Sequence, residues 1–354
     1  MVSDDKILAK AAMRKITALI LTLVVSLAFG CAYKMEIPDG FPTPESPPPA
    51  TPVPKLEYKP DAELEKQIAE IAAAAKGKVG VAAVVLETGE AAFLNADGRY
   101  PMQSVYKLPI AMAVMEQVRL DKLDLDEQIG VTKEDMVREG MRSPLRDAKP
   151  NGGEYTIREL IRLSLVESDG TASDVLMRVA GGAGEIQAYL TQIGVRDMKV
   201  VNTEKEIGKD WQTQYENWST PMASVELLRF YCTIQGFDYC RGPIGYPTDV
   251  YDPTDREVWI NEVGKMTHSM VYSKPGAFRI KGLLPKDTRV AHKTGTGGTQ
   301  NGVTGATNDI GIIYLPNGKH VAIAVFVSDS PADEKTREAV IAKIAKVCWD
   351  RWAK

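Results

Sequence analysis

The sequence predicts an α/β chain of the α+β type: a five-stranded antiparallel sheet flanked by helices, with an all-helical lobe inserted between its strands. Three observations predict it. Five short apolar runs fall into two groups, "VGVAAVVLET" and "AAFLNAD" first, then "RVAHKTGT", "NDIGIIYL" and "HVAIAVFVS". Between the groups, from Ser104 to about Thr267, the chain reads mostly as helices joined by loops rich in Gly, Pro and Asp. A helical segment stands outside each group, "DAELEKQIAEIAAAA" before the first and "DEKTREAVIAKIAKVCWDRW" after the last.

The elements follow in order. "ITALILTLVVSLAFG", Ile16 to Gly30, carries no charge and follows Arg14 and Lys15. A spanning helix needs about 20 apolar residues, so this shorter run reads as the core of a signal peptide covering residues 1–31. It ends at "SLAFGC", where a small residue before Cys31 resembles a lipoprotein processing site and marks Cys31 for acylation. Residues 32–60 are dense in proline and make an extended spacer without a packed core. The folded domain spans 61–354, its sheet lobe from 61–100 and 270–354 and its helical lobe from 101–269. Gly89 separates the first two strands as a hairpin, Gly77 stops the first helix, and "PNGK" joins the last two strands.

Composition narrows the function classes. The 354 residues are 44% hydrophobic and 25% charged, ordinary for a globular enzyme. A net charge of −4 supplies no basic field for nucleic acid. The histidines His268, His292 and His320 are scattered and no Cys/His cluster has ligand spacing, so neither a metal nor an organic cofactor is expected. Cys232 and Cys240 close the short loop "CTIQGFDYC" and are the disulfide candidate for an exported protein. Cys348, among Ile341, Ile344 and Val347, reads as a buried thiol. A monomer is the expected state, with membrane contact only through the lipid anchor.

The chemistry begins at "SVYK". Ser104 and Lys107 are spaced to share a helix face, which brings the ammonium within reach of the hydroxyl. A serine needs such a base or cation to act as a nucleophile. Alone the spacing says little, since Ser3 and Lys6 repeat it in the leader. Two further segments change that. "VESDGTASDVLM" sets Ser168 and Asp169 at the start of an apolar helical run, and "AHKTGTGG" sets Lys293, Thr294 and Gly295 on a strand-like segment.

Together, SxxK, S-D and K-T-G in this order resemble the penicillin-recognising serine enzymes, over nearly the whole chain beyond the linker. "VVNTEKEIGKDWQTQYENWSTP" is similar to the omega loop of class A β-lactamases, in a subgroup where that loop is expanded and the spectrum extended. The resemblance implies a β-lactamase/transpeptidase-like fold, a β-lactam as the small-molecule substrate, and hydrolysis through an acyl-enzyme that confers antibiotic resistance. It also implies roles. Ser104 is the nucleophile, Lys107 or Glu204 takes its proton, and Glu204 activates the deacylating water, with Glu206 as the competing candidate. Ser168 relays a proton to the leaving nitrogen, and Lys293 sustains the field around it. The N–H groups of Ser104 and Thr296 form the oxyanion hole, Thr294 and Thr296 bind the substrate carboxylate along the Gly295 strand, and Arg279 in "RIKGLLP" is its counter-ion.

The chain departs from the family at four positions. Gly170 replaces the asparagine of S-D-N and removes a substrate-binding arm. Asp174 stands where many relatives have asparagine. Gly208 falls where a polar residue commonly helps hold the deacylating water, and Arg142 replaces an aromatic at the cleft mouth. Gly170 and Gly208 weigh toward slow deacylation, so a penicillin-binding sensor or a D-alanyl-D-alanine peptidase is the alternative reading.

Overall fold

The structure, a computed structural model, describes residues 56–234 and 253–354, and only the backbone at 233–234 and 253–260. The expected signal peptide, Cys31, most of the Pro-rich segment and Cys240 lie outside the described residues.

Strands β1 (Lys59–Pro60), β2 (Lys78–Val85), β3 (Glu90–Leu94), β4 (Val290–Thr296), β5 (Thr299–Gln300), β6 (Val303–Tyr314) and β7 (His320–Ser330) make the main sheet. Its order is β1-β3-β2-β7-β6-β5, with β4 also paired to β6. The five expected strands are β2, β3, β4, β6 and β7, and their pairings with one another are antiparallel. The structure adds two two-residue strands, of which β1 pairs with β3 in parallel. Leu56 and Tyr58 pack on the core, and the Tyr58 hydroxyl donates to Glu226, so the end of the Pro-rich segment is part of the fold.

Alternation along the strands divides the core into two layers. Val81, Ala83 and Val85 of β2, with Val321, Ile323, Val325 and Val327 of β7, face helices α1 (Ala62–Ala72) and α7 (Glu334–Trp352). Burying each such aliphatic side chain contributes roughly 1.5–3 kcal/mol. Ala82, Val84, Ala322, Ala324 and Phe326 face the inserted lobe. That lobe is built around α2 (Lys107–Arg119), α3 (Gly170–Val179), α4 (Ala183–Gln192), α5 (Pro221–Ile234) and α6 (Pro253–Val271). The small alanines let α5 lie close on β7 and β2. The lobe is not purely helical: Gln128–Val131 pairs with Gly153–Thr156, and Trp218–Ser219 lies between Tyr100–Pro101 and Met198–Lys199.

Local sequence explains the ends of the elements. Asp61 caps α1 through the N–H groups of Glu63 and Leu64, and Asp333 caps α7 through that of Thr336. After α1 and a short 3₁₀ turn it is Lys76, not the expected Gly77, that turns left-handed, at φ 51°. Gly77 is required for a different reason: a β-carbon there would stand 2.6 Å from the Ser328 carbonyl oxygen. Cys232 is a free thiol buried in the lobe interior on α5, and its expected partner Cys240 lies outside the described residues. Cys348 is also free and buried, as expected. Among the described residues, no helix is long and apolar enough to cross a membrane.

Candidate active site

A cleft of 670 Å³ opens between the inserted lobe and the β4 edge of the sheet. Ser104 sits in a short 3₁₀ turn, Gln103–Tyr106, that leads directly into α2. Gln103 is left-handed at φ 48°, and its buried side chain donates to Gln214 Oε1 at 2.9 Å. The turn is fixed from below as well. Asn308 Nδ2 on β6 donates to Pro101 O at 2.7 Å and Met102 O at 3.2 Å, and Met102 N–H donates to Asn217 O. A β-carbon on Gly295 would run into the Met102 carbonyl, which is why glycine lets β4 come so near the nucleophile.

Lys107 is buried, and its Nζ lies 2.8 Å from Ser168 O and 2.9 Å from Glu204 Oε1. The hydrogen-bond partner of Ser104 Oγ is therefore not Lys107, as the spacing alone suggested, but Glu204 Oε1 at 3.4 Å. Ser168 follows a π-helical turn, Leu163–Glu167, and is left-handed at φ 57°. That conformation costs a non-glycine residue about 1–2 kcal/mol. It directs the carbonyl to Lys107 and the hydroxyl to Lys293, whose Nζ donates to Ser168 Oγ at 2.9 Å and to Thr294 O at 3.1 Å. The neighbouring Asp169 is structural: its carboxylate accepts from Ser143 Oγ, Leu145 N–H and Ala172 N–H.

Glu204 opens a one-turn helix, Glu204–Ile207, capped by Thr203. Glu206 completes the capping box with Thr203, and it is Glu204 that faces the cleft. Asp174 holds this turn by accepting from Glu204 N–H at 2.7 Å and Lys205 N–H at 3.1 Å. Burial and then the Glu204 charge push the Asp174 carboxyl up to about 7. Burial also pushes Glu204 upward, but the Lys107 ammonium beside it, with help from Lys293, holds its carboxyl below the ordinary range. Lys293 is held well below the usual lysine value by burial and then by the Lys107 charge.

Ser104, Lys107, Ser168, Glu204, Thr294 and Thr296 thus line one cleft, and Lys293 anchors Ser168 from beneath. Arg279 is not among the lining residues. Its buried guanidinium donates to Glu338, to the carbonyls of Gly295 and Asn308, and to Thr296 Oγ1 at 2.8 Å. Gly170 is buried at the start of α3 with its N–H on Arg142 O, and it does not line the cleft. The sequence reading also missed the supports at Gln214, Asn217 and Asn308. Asn217 Oδ1 takes the N–H groups of Val201 and Asn202, and the only signal for it was its place in "QYENWSTP". Among the described residues, no group of three or more His, Cys, Asp or Glu could hold a metal ion.

A serine held against an ionised carboxylate, two buried ammonium groups and a strand edge carrying two threonines defines a serine acyl-transfer enzyme. Comparison with known proteins identifies which one. The sequence profile of the beta-lactamase enzyme family matches residues 63–230 and 264–352. Beta-lactamase VEB-1 of Pseudomonas aeruginosa is 33% identical over 287 residues, covering 81% of this chain and 89% of that protein. Extended-spectrum beta-lactamase PER-1 of the same organism is 34% identical over 288 residues, covering 81% and 86%. Among solved structures, TLA-3 extended-spectrum beta-lactamase superposes with a TM-score of 0.73 at 37% identity, covering 82% of this chain and 99% of that one. A beta-lactamase from Chitinophaga pinensis gives 0.72 at 36%, with the same coverage. The chain belongs to the beta-lactamase enzyme family, as a class A serine β-lactamase.

Proposed function

We propose that this chain opens the β-lactam amide by acylation at Ser104 and clears the ester with water activated by Glu204. One observation carries the assignment: Glu204 Oε1 receives both Lys107 Nζ at 2.9 Å and Ser104 Oγ at 3.4 Å. Lys107 Nζ is tied to Glu204 and to the Ser168 carbonyl, while the ionised Glu204 is placed to accept a proton. Ser104 Oγ then gives its proton to Glu204 and attacks the lactam carbonyl, whose oxygen is held by the N–H groups of Ser104 and Thr296. Removing one such donor typically costs about 3–4 kcal/mol in the transition state. As the C–N bond breaks, Ser168 Oγ protonates the departing nitrogen and is resupplied from Lys293 Nζ, its donor at 2.9 Å; the proton that Glu204 took from Ser104 then replaces the one Lys293 gave, which leaves Glu204 ionised again for the second half. In the second half, Glu204 takes a proton from water, the hydroxide attacks the ester carbonyl, and Ser104 leaves with a proton.

Thr294 and Thr296 bind the ring carboxylate. Arg279 acts on that subsite through the Thr296 hydroxyl it holds. The extended spectrum named for PER-1 and TLA-3 is extended here to this chain as its substrate range.

The enzyme is exported to the periplasm and tethered through an acylated Cys31, with the proline-rich segment as spacer, and it works as a monomer. The uncharged run before Cys31 and the composition of residues 32–60 support this part of the reading.

Turnover of a chromogenic cephalosporin tests the activity. Continuing hydrolysis supports it, and a single stoichiometric burst would assign the chain instead to the penicillin-binding sensors or peptidases. Gly208, whose missing side chain leaves its space to Met141, is the feature that favours this second reading.

A further inference from the structure

The wall of the cleft opposite β4 carries three cations, Arg138, Arg142 and Lys209, all exposed and all lining the opening. The Arg138 Nε and Nη1 donate to the carbonyls of Gly208 and Glu139, and no carboxylate pairs with it among the described residues. Arg142 Nε donates to Glu167 O, and its Nη2 stands 3.7 Å from the Glu167 carboxylate, with over half of the side chain exposed. Lys209 makes no side-chain hydrogen bond among the described residues and reaches Glu206 only through its field. Of the two carboxylates in the lining, Glu204 is paired with Lys107, whereas Asp210 accepts only from neutral donors, Gln212 N–H, Thr213 N–H and Thr213 Oγ1, and keeps its charge. Three cations against that one carboxylate leave the rim net positive, although the whole chain is negative.

Geometry says what the rim would meet. A fused β-lactam carries its ring carboxylate at one end and its acylamino side chain at the other, with the reactive carbonyl between them. If the ring carboxylate lies on Thr294 and Thr296, the side chain projects across Ser104 toward this wall. We propose that Arg138, Arg142 and Lys209 form a specificity rim that selects β-lactams whose side chain bears a second anionic group. The inference rests on the β-lactamase reading and adds the charge class of the preferred substrate. Exposed cations act through complementary charge, mainly on capture and KM, and are screened by salt.

The test compares benzylpenicillin with its α-carboxy derivative, using the full chain. The ratio of their kcat/KM values, carboxylate over neutral, isolates the charge from effects common to both substrates. Each neutralisation (Arg138→Gln, Arg142→Gln, Lys209→Gln) should lower the ratio about threefold, and raising the salt should lower it in the parent. Arg138 and Arg142 also brace backbone carbonyls, so Arg138→Lys and Arg142→Lys, which keep the charge, should retain the ratio. Lys209→Gln disturbs no hydrogen bond and reads charge alone. A ratio unmoved by Lys209→Gln and by salt, with benzylpenicillin still hydrolysed, overturns the rim and leaves the enzyme assignment intact. Failure of the parent to turn over either penicillin overturns the assignment itself.

Discussion

Lys107 Nζ and Glu204 Oε1 form an ion pair 2.9 Å long at the floor of the cleft, and the nucleophile hydroxyl leans on the same carboxylate oxygen. In the mechanism proposed above, one carboxylate serves both halves of the reaction. The second half depends on it more, because only Glu204 faces the ester as a base while Lys107 is paired.

Glu204→Gln should slow deacylation at least a hundredfold and trap an acyl adduct visible by intact-protein mass spectrometry. Acylation should suffer less. Without the carboxylate, Lys107 Nζ is no longer tied to position 204 and can turn toward the Ser104 hydroxyl. A variant that turns over like the parent would remove Glu204 from the mechanism.

Gly208 and Met141 are coupled. A β-carbon at position 208 would lie 2.6 Å from Met141 Sδ, so Gly208→Asn should cost roughly 1–3 kcal/mol by overpacking. Met141→Ala in the same chain should relieve that cost. The double variant should deacylate several-fold faster than the parent, since a new hydrogen bond to the water contributes about 1 kcal/mol. Additive losses in thermal melting across the cycle would show that the two positions do not share space.

Asp174 predicts a sign for stability against pH. Its carboxyl is raised from 3.8 to about 7, so its contribution is fully present below 3.8 and is lost as pH rises through about 7. Asp174→Asn gives up one acceptor for the turn at Glu204 and is less stable at low pH. It should recover relative to the parent between about pH 4 and pH 7. A melting-temperature difference that stays constant over that range would contradict the raised carboxyl.

Lys293, held well below 10.5 by burial and by Lys107, should set an alkaline fall of kcat/KM below that value. Lys293→Arg, which keeps a charge that does not titrate there, should move the fall to higher pH even if the rate drops. An unshifted limb would assign it to another group.

Much of this site could be read from the sequence because the motifs are local. Ser104 with Lys107, Ser168 with Asp169, and Lys293 through Gly295 each fix backbone and chemistry within four residues, and the five apolar runs marked the strands. The remainder arises between segments distant in the chain. The spacing placed Lys107 against Ser104, but the carbonyl that captures its ammonium comes from a left-handed Ser168 some sixty positions later. Arg279 matched a counter-ion by position, yet Glu338 and two strand carbonyls turn it away from the opening. Gly208 signalled a missing side chain, and only packing shows that Met141 fills the space.

The pairing of β2 with β7, Val81 opposite Val325, joins parts of the chain made early and late in synthesis. Until β7 has emerged, nothing joins β2 to β6, and the two halves of the sheet that frame the site stay apart. A growing polypeptide thus stays catalytically silent for most of its length and acquires its hydrolytic power in one late step. Fragments ending before His320 should bind no antibiotic at all.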